Sequence, residues 1–208
     1  LLYSDSDHQL TIPGPGQMLL IDNRPEKAAG GNGAAGGGNN ARGETAFEWA
    51  GKLVYNQRDN TVELSKSVHM VHQPQKAIRA GGNPATSHVD LSTEHLLAKL
   101  SQPKDLENAT ALANPVGVGA GGNQQLENVR ADGGATLTLD NKQELRADVL
   151  TYDNSTHIAT ATSANGNKVT YTDPDKQQLM QGTALKWDMH ENAVSGTDLG
   201  GNIRLSPY

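Results

Sequence analysis

The sequence predicts an all-β protein of stacked antiparallel strand pairs, and three observations predict it. Apolar and polar residues alternate along several stretches, polar turns separate those stretches, and one short motif recurs. Successive side chains of a strand point to opposite faces, so a period of two indicates a strand with one buried face. We expect the 208 residues to form one elongated domain, 1–208.

The first clear strand pair lies on either side of the polar turn 57–60. Odd positions carry the apolar side chains from Phe47 to Tyr55, and even positions carry them from Val62 to Met70. The turn contains an Asp-Asn pair, and both residue types tolerate the left-handed backbone of a tight turn. The pattern therefore predicts a hairpin of two strands, each with one apolar face.

A short unit then recurs: leucine, one further residue, an aromatic residue, and Asn or Asp. The clear copies are 53–56, 150–153 and 185–188, with fainter copies at 18–22 and 169–173. A hairpin of this size cannot bury its own apolar face. Its repetition indicates neighbours that stack into one continuous core.

Three segments depart from this alternation. The Gly-rich stretches at about 28–43 and 114–123 are typical of flexible loops, and we expect them to be insertions between strands. Residues 92–100 have apolar side chains at helical spacing behind Ser92, which could cap a helix. The sequence leaves open whether 92–100 is a short helix or a strand.

Composition excludes several classes of function. The formal net charge is −6 and no basic run occurs, so we expect no nucleic-acid partner. No apolar run approaches the ~18–20 residues of a membrane-spanning helix. The absence of cysteine excludes thiol catalysis, cysteine-based zinc sites and disulfides.

Motifs for catalysis or metal binding are weak. Residues 117–122 match G-x-G-x-x-G, but a turn precedes them where a nucleotide site needs a strand, so we expect no cofactor. Asp173 and Asp175 flank a proline and are typical of a turn rather than of a glycosidase cleft. No G-x-S-x-G occurs. We expect no catalytic residue.

Seven histidines raise the question of a metal site. His69 and His72 are three residues apart, which places them on opposite faces of a strand. His88 and His95 converge only if the chain between them turns back. We expect these histidines to face solvent and to lack the acidic partner that usually orients a metal-binding histidine. We therefore expect no metal site.

The recurring unit resembles the building block of the organic-solvent-tolerance N-terminal-like (OstA-like) family, to which the periplasmic lipopolysaccharide-transport bridge proteins belong. The matching stretches are 49–72, 145–172 and 180–201, about half of the chain. Residues 181–188 followed by 194–196 are similar to one complete family unit. The Gly-rich loops and residues 78–125 depart from the family pattern, which leaves the number and register of strand pairs open.

The resemblance implies a β-jellyroll folded over like a taco, with open ends and an apolar interior that shields acyl chains. Each buried CH₂ contributes about 0.8 kcal/mol, so a ~12-carbon chain contributes roughly 10 kcal/mol. Open strand edges imply end-to-end β-augmentation, with copies of the chain or with β-jellyroll partners of the envelope transport machinery. The resemblance thus implies a non-enzymatic periplasmic protein that binds lipopolysaccharide or a similar amphiphile during outer-membrane assembly. It would be soluble, or tethered by a segment outside this sequence.

The same resemblance implies that apolar positions of the repeated strands line the lipid site. These lining candidates are Leu53, Tyr55, Val62, Leu64, Val68, Met70, Leu150, Tyr152, Val169, Tyr171, Leu185 and Trp187. Two alternatives remain open. One is a structural or assembly β-repeat module without a ligand, and the other is a carbohydrate-active β-solenoid with a solvent-open row of acids and aromatic residues.

Overall fold

The computed structural model shows an all-β fold whose described strands form one antiparallel sheet. It describes residues 2–4, 6, 8–22, 43–74, 88–101, 125–140, 142–164 and 166–199. In these ranges no helix has the length and apolar character needed to cross a membrane. The strands are β1 (Leu2–Ser4), β2 (Gln9–Pro13), β3 (Gly16–Asp22), β4 (Gly43–Trp49), β5 (Lys52–Asn56), β6 (Thr61–Pro74), β7 (Val89–Ser101), β8 (Gln125–Leu139), β9 (Gln143–Asp153), β10 (Ile158–Thr162), β11 (Val169–Asp173), β12 (Gln178–Gly182), β13 (Ala184–Asp188) and β14 (Ala193–Thr197).

Strands β5 to β10 follow one another as a meander, and the sheet is folded along its length into two layers. The long strands β6 to β9 cross from one layer to the other. Each outer long strand pairs with one short strand in each layer: β6 pairs with β5 and β4, and β9 with β10 and β11. We call the half that contains β1, β2, β5, β10, β13 and β14 layer A. The half that contains β3, β4, β11 and β12 is layer B.

Backbone irregularities mark the line along which the sheet folds. Register shifts occur at Ser65/Val68 in β6, Ser92/His95 in β7 and Asp132/Ala135 in β8. Such bulges bend a strand sharply. Between the paired parts of β8, Gly133 and Gly134 have φ angles of 88° and 89°, which glycine adopts without steric cost. We call this line the fold line. The opposite edge, where turns of the two layers face each other, is the rim.

The helix that the sequence left open at 92–100 is wrong, because these residues belong to β7. The register shift between Ser92 and His95 changes the spacing of buried residues from two to three. Thr93 and Leu96 are therefore both buried, and their spacing imitates a helix. Leu97 is 40% exposed.

The predicted hairpins are confirmed, except that the predicted strand from Phe47 to Tyr55 is divided at residues 50–51 into β4 and β5. The clear copies of the recurring unit form β5–β6, β9–β10 and β13–β14, and the fainter copy at 169–173 forms β11–β12. The other faint copy lies in β3. Except for Gly43, which begins β4, the Gly-rich stretches at 28–43 and 114–123 lie outside the described residues.

The core lies between the layers and draws on both of them. Tyr171 of layer B meets Trp187 of layer A edge to face, with ring centroids 5.2 Å apart and planes at 64°. Aromatic pairs favour this geometry. Among the described strands, β1 and β3 at one end and β12 and β14 at the other pair on one side only. The fold is therefore an open, elongated, jellyroll-like sheet, as predicted.

Candidate functional site

The interior between the layers contains all twelve lining candidates. Eleven of them are at most 1% exposed, and Tyr55 is half-buried against the same cluster. Nearly complete burial means that these side chains pack against each other in this structure. Their role as the lining of a lipid site stays a prediction.

The Asn or Asp of the recurring unit shapes its hairpin turn. Asn56 Oδ1 accepts hydrogen bonds from the backbone N–H groups two and three residues later, at 2.9 and 3.2 Å. Asp153 Oδ1 does the same at 2.8 and 3.1 Å. Four positions after the Asn or Asp, each copy has a residue with a left-handed backbone: Asn60, His157 and Asn192. The motif therefore encodes a five-residue turn.

In the first two copies the tyrosine hydroxyl binds this left-handed residue. Tyr55 Oη donates to Asn60 Oδ1 at 3.1 Å, and Tyr152 Oη lies 3.2 Å from His157 Nδ1. Burial raises the pKa of the Tyr152 hydroxyl and lowers the pKa of His157. Tyr152 Oη donates to Asn154 Oδ1 at 3.3 Å, so the hydroxyl contacts two residues of the turn.

The third copy departs from this arrangement. Asn192 Oδ1 accepts from Gln143 Nε2 of β9 at 3.1 Å, which joins layer A to layer B at the rim. Lys176 Nζ adds a contact of 3.5 Å to the Asn192 carbonyl oxygen. The buried Trp187 Nε1 has no hydrogen-bond partner among the described residues.

Gln143 and Asp173 place a buried polar pair beside this contact. Gln143 Nε2 also donates to Asp173 Oδ2 at 2.7 Å, and both side chains are buried. Asp173 Oδ1 accepts from the backbone N–H groups of Asp175 and Lys176, which agrees with the predicted role of Asp173 as a turn former. Within the described part of the chain, Gln143 Oε1 is buried without a partner. We call Gln143, Asp173, Lys176 and Asn192 the seam.

Sequence reasoning missed the seam. Gln143 could have been noticed, because it is a polar residue in phase with Leu145 and Ala147 on the buried face of β9. Asn192 could have been found by aligning the left-handed turn residues of the three copies. Its bond to Gln143 spans 49 residues and depends on how the layers meet, which no local pattern encodes.

The histidine predictions are partly wrong. His69 and His72 do lie on opposite faces, but His72 is buried with Nδ1 2.8 Å from Thr45 Oγ1. His69 Nε2 lies 3.0 Å from both carboxylate oxygens of Asp90, because the pairing of β6 with β7 supplies the acidic partner. Burial lowers the pKa of His72 to about 4, with a smaller contribution from His157.

The other histidine pair does not converge. His88 immediately precedes β7 and His95 lies beyond the register shift of that strand, so extended chain separates them. Among the residues with described positions, no three His, Asp or Glu side chains are grouped as metal ligands would be.

An open groove of about 460 Å³ lies at the fold line on the side of β3 and β4. Gly16, Glu48, Trp49 and His69 form part of its wall. Gln17 Nε2 donates to Glu48 Oε1 at 2.7 Å, so two of its polar groups bind each other. G-x-G-x-x-G at 117–122 lies outside the described residues.

Exposed apolar side chains are concentrated at the two ends of the sheet. Of the seven large exposed ones in the described ranges, only Leu97 lies on a central strand. The other six lie on β1, β3 and β12 or just after β14: Leu2, Tyr3, Leu19, Ile21, Leu179 and Leu199. Apolar surface beside an unpaired strand edge is typical of an association site.

Comparison of the chain with protein-family models, curated proteins and solved structures finds no match. The resemblance to the OstA-like family therefore stays a prediction that rests on the recurring hairpin unit.

Proposed function

We propose that the protein is a non-enzymatic periplasmic carrier of lipopolysaccharide or a similar amphiphile, and that acyl chains occupy the interior between layers A and B. One observation carries the proposal: a single apolar core runs along the folded sheet between two open ends. The ten strands along layer A, at the usual spacing, span about 43 Å, and side chains of nine of them, from β2 to β14, lie in the core or pack against it.

The chemistry of the interior suits an inserted hydrocarbon chain. Transfer of a ~12-carbon chain out of water contributes roughly 10 kcal/mol of favourable free energy. This free energy offsets part of the packing energy that is lost when the layers separate. Buried alanines on β7, β8 and β10 offer the least bulk to such a chain: Ala98, Ala131, Ala135, Ala159 and Ala161. The net charge of −6 disfavours contact with phosphates, so we expect a phosphorylated headgroup to stay in solvent.

Native mass spectrometry with intact and deacylated lipopolysaccharide tests the proposal. We expect a complex with the intact lipid that persists at high salt, because burial of acyl chains drives binding and salt screens only charges. The deacylated oligosaccharide is the matched control and should not bind. Equal binding of both forms, or binding of neither, would contradict the proposal.

The open ends support a second part of the proposal, the end-to-end association of copies or of β-jellyroll partners through edge strands. Leu19→Lys with Ile21→Lys places charge on the exposed face of β3, and charge on an edge strand discourages pairing. Leu97→Lys on the central β7 is the matched control. Light scattering over a concentration series should show assembly by the wild type and the control but not by the β3 variant. Equal assembly of all three proteins would exclude association through the end of the sheet that contains β3.

A ligand-free assembly module is the second candidate, and the close packing of the interior favours it. Such a module would assemble through its ends to the same extent with and without lipopolysaccharide. A carrier would bind the lipid even at concentrations where light scattering finds monomers.

A further inference from the structure

The seam is the place where the recurring hairpin departs from its own pattern. In the first two copies the left-handed residue is hydrogen-bonded to the tyrosine of the same hairpin. In the third copy Asn192 occupies that position but binds Gln143 of the other layer. Trp187 Nε1–H is consequently left without an acceptor in the described structure.

Asn192 and Gln143 bring side chains of both layers together at this point of the rim. Trp187 holds the motif position whose tyrosine hydroxyls lie 3.1 and 3.2 Å from their own turn residues in the other two copies. The Trp187 indole packs on Tyr171, whose strand partner Leu145 is the next inward-facing residue after Gln143.

The closed seam leaves two complementary polar atoms unsatisfied. Trp187 Nε1 is a buried donor and Gln143 Oε1 a buried acceptor, and neither has a partner among the residues described. Buried groups of this kind favour any arrangement that pairs them. If the seam opens, Asn192 can turn to accept from Trp187 as Asn60 accepts from Tyr55, and Gln143 Oε1 becomes available to a donor from outside.

We propose that the seam is the portal through which the amphiphile enters the interior. Asn192 exchanges Gln143 for Trp187, and Gln143 Oε1 accepts a hydrogen bond from a hydroxyl or amide group near the polar end of the acyl chain. This proposal rests on the proposed function and assigns the position and the polar specificity of its site.

The absence of cysteine makes a clean test possible. The two cysteines of Gln143→Cys with Asn192→Cys can be cross-linked by a short bis-methanethiosulfonate, and a reductant removes this cross-link (the tie). Lys186→Cys with Ser195→Cys is the matched control, because these exposed partners tie β13 to β14 within layer A. Lipopolysaccharide is the probe, and the reduced form of each variant is its own reference.

We expect the tie across the seam to weaken binding by on the order of tenfold or more, and reduction to restore it. The tie within layer A should leave binding unchanged. Full binding by the tied seam would overturn the portal while leaving the proposed function intact. Absence of binding by every form, including the wild type, would overturn both.

The hydrogen bond proposed for Gln143 Oε1 can be tested separately from the portal. The wild type should bind 3-hydroxydodecanoic acid more tightly than dodecanoic acid, by on the order of fivefold. Gln143→Leu should remove this preference while keeping the binding of dodecanoic acid. Equal binding of the two acids by the wild type, or a preference that survives in Gln143→Leu, would overturn the role of Gln143.

Discussion

The two long edges of the folded sheet are closed by different means. At the fold line the backbone of β6 to β9 passes from one layer to the other, so covalent bonds join the layers. At the rim, the described contacts between layers include hydrogen bonds to Asn192 from the side chains of Gln143 and Lys176. The difference teaches which edge can open: the rim can separate without bending the backbone, at the cost of its hydrogen bonds and of apolar packing between the layers, and the fold line cannot.

Acid should produce the largest difference between the two edges. His72 lies towards the rim of β6, and its pKa is lowered from 6.5 to about 4, chiefly by burial. His72 is therefore protonated near pH 6.5 in the unfolded chain but only near pH 4 in the folded protein. The free energy of unfolding should fall by about 3 kcal/mol across this window, and exchange of rim amides should accelerate before that of fold-line amides.

His72→Gln keeps a hydrogen-bonding group beside Thr45 and removes the titration, so it should flatten the dependence of stability on pH between 6.5 and 4. Urea unfolding of the wild type and the variant at several pH values measures both slopes. A slope that persists in His72→Gln would assign the effect to other groups.

Substitutions at the fold line should lower the free energy of unfolding somewhat less than acid does. Gly133→Ala forces a side chain into a left-handed backbone and places its Cβ 3.0 Å from Glu94 Cβ. Gly134→Ala has the same backbone strain with open space around it. We expect losses of about 1–2 kcal/mol, with Gly133→Ala the larger. Urea midpoints at constant m-value measure them, and a larger loss for Gly134→Ala would contradict the crowding at the fold line.

Substitutions in a turn at the rim should lower the free energy of unfolding by about 1 kcal/mol. Asp153→Ala removes the acceptor of two backbone N–H groups. Asp153→Asn keeps an acceptor of the kind that Asn56 supplies in the first copy, so it should lose less. The hydrogen bond from the Ser155 side chain lowers the pKa of Asp153, so its contribution should disappear as the pH falls below the usual aspartate range. Equal losses for the two variants would show that the turn does not depend on this acceptor.

The smallest effect should come from the exposed pair of Lys142 and Asp175 at the rim, 2.9 Å apart. Lys142→Ala should change stability by less than about 0.5 kcal/mol, because exposed ion pairs contribute little. High salt should remove the difference from the wild type. A larger loss that resists salt would contradict this expectation.

The sequence allowed prediction of the hairpins and their inward faces but not of the way the layers meet. The alternation around Leu53 and Tyr55 and the recurring Asn or Asp are local signals, and local signals encode strands and turns. The sequence left helix and strand open at the bend in β7, because two buried residues three apart fit a bulge and a helix equally well. The partners of His69 and Gln143 come from pairing over 21 and 49 residues, and no local pattern contains that information.

The separation of the layers can be measured directly by electron spin resonance between two labels. Thr156→Cys and Asp175→Cys label the turns of layers A and B at the rim, and Thr162→Cys and Lys168→Cys label both layers beside the fold line. On addition of lipopolysaccharide, we expect the distance between the rim labels to increase by several ångströms and the distance at the fold line to stay the same. Bound lipopolysaccharide with no change at the rim, or with an equal change at the fold line, would contradict an interior that opens along the rim.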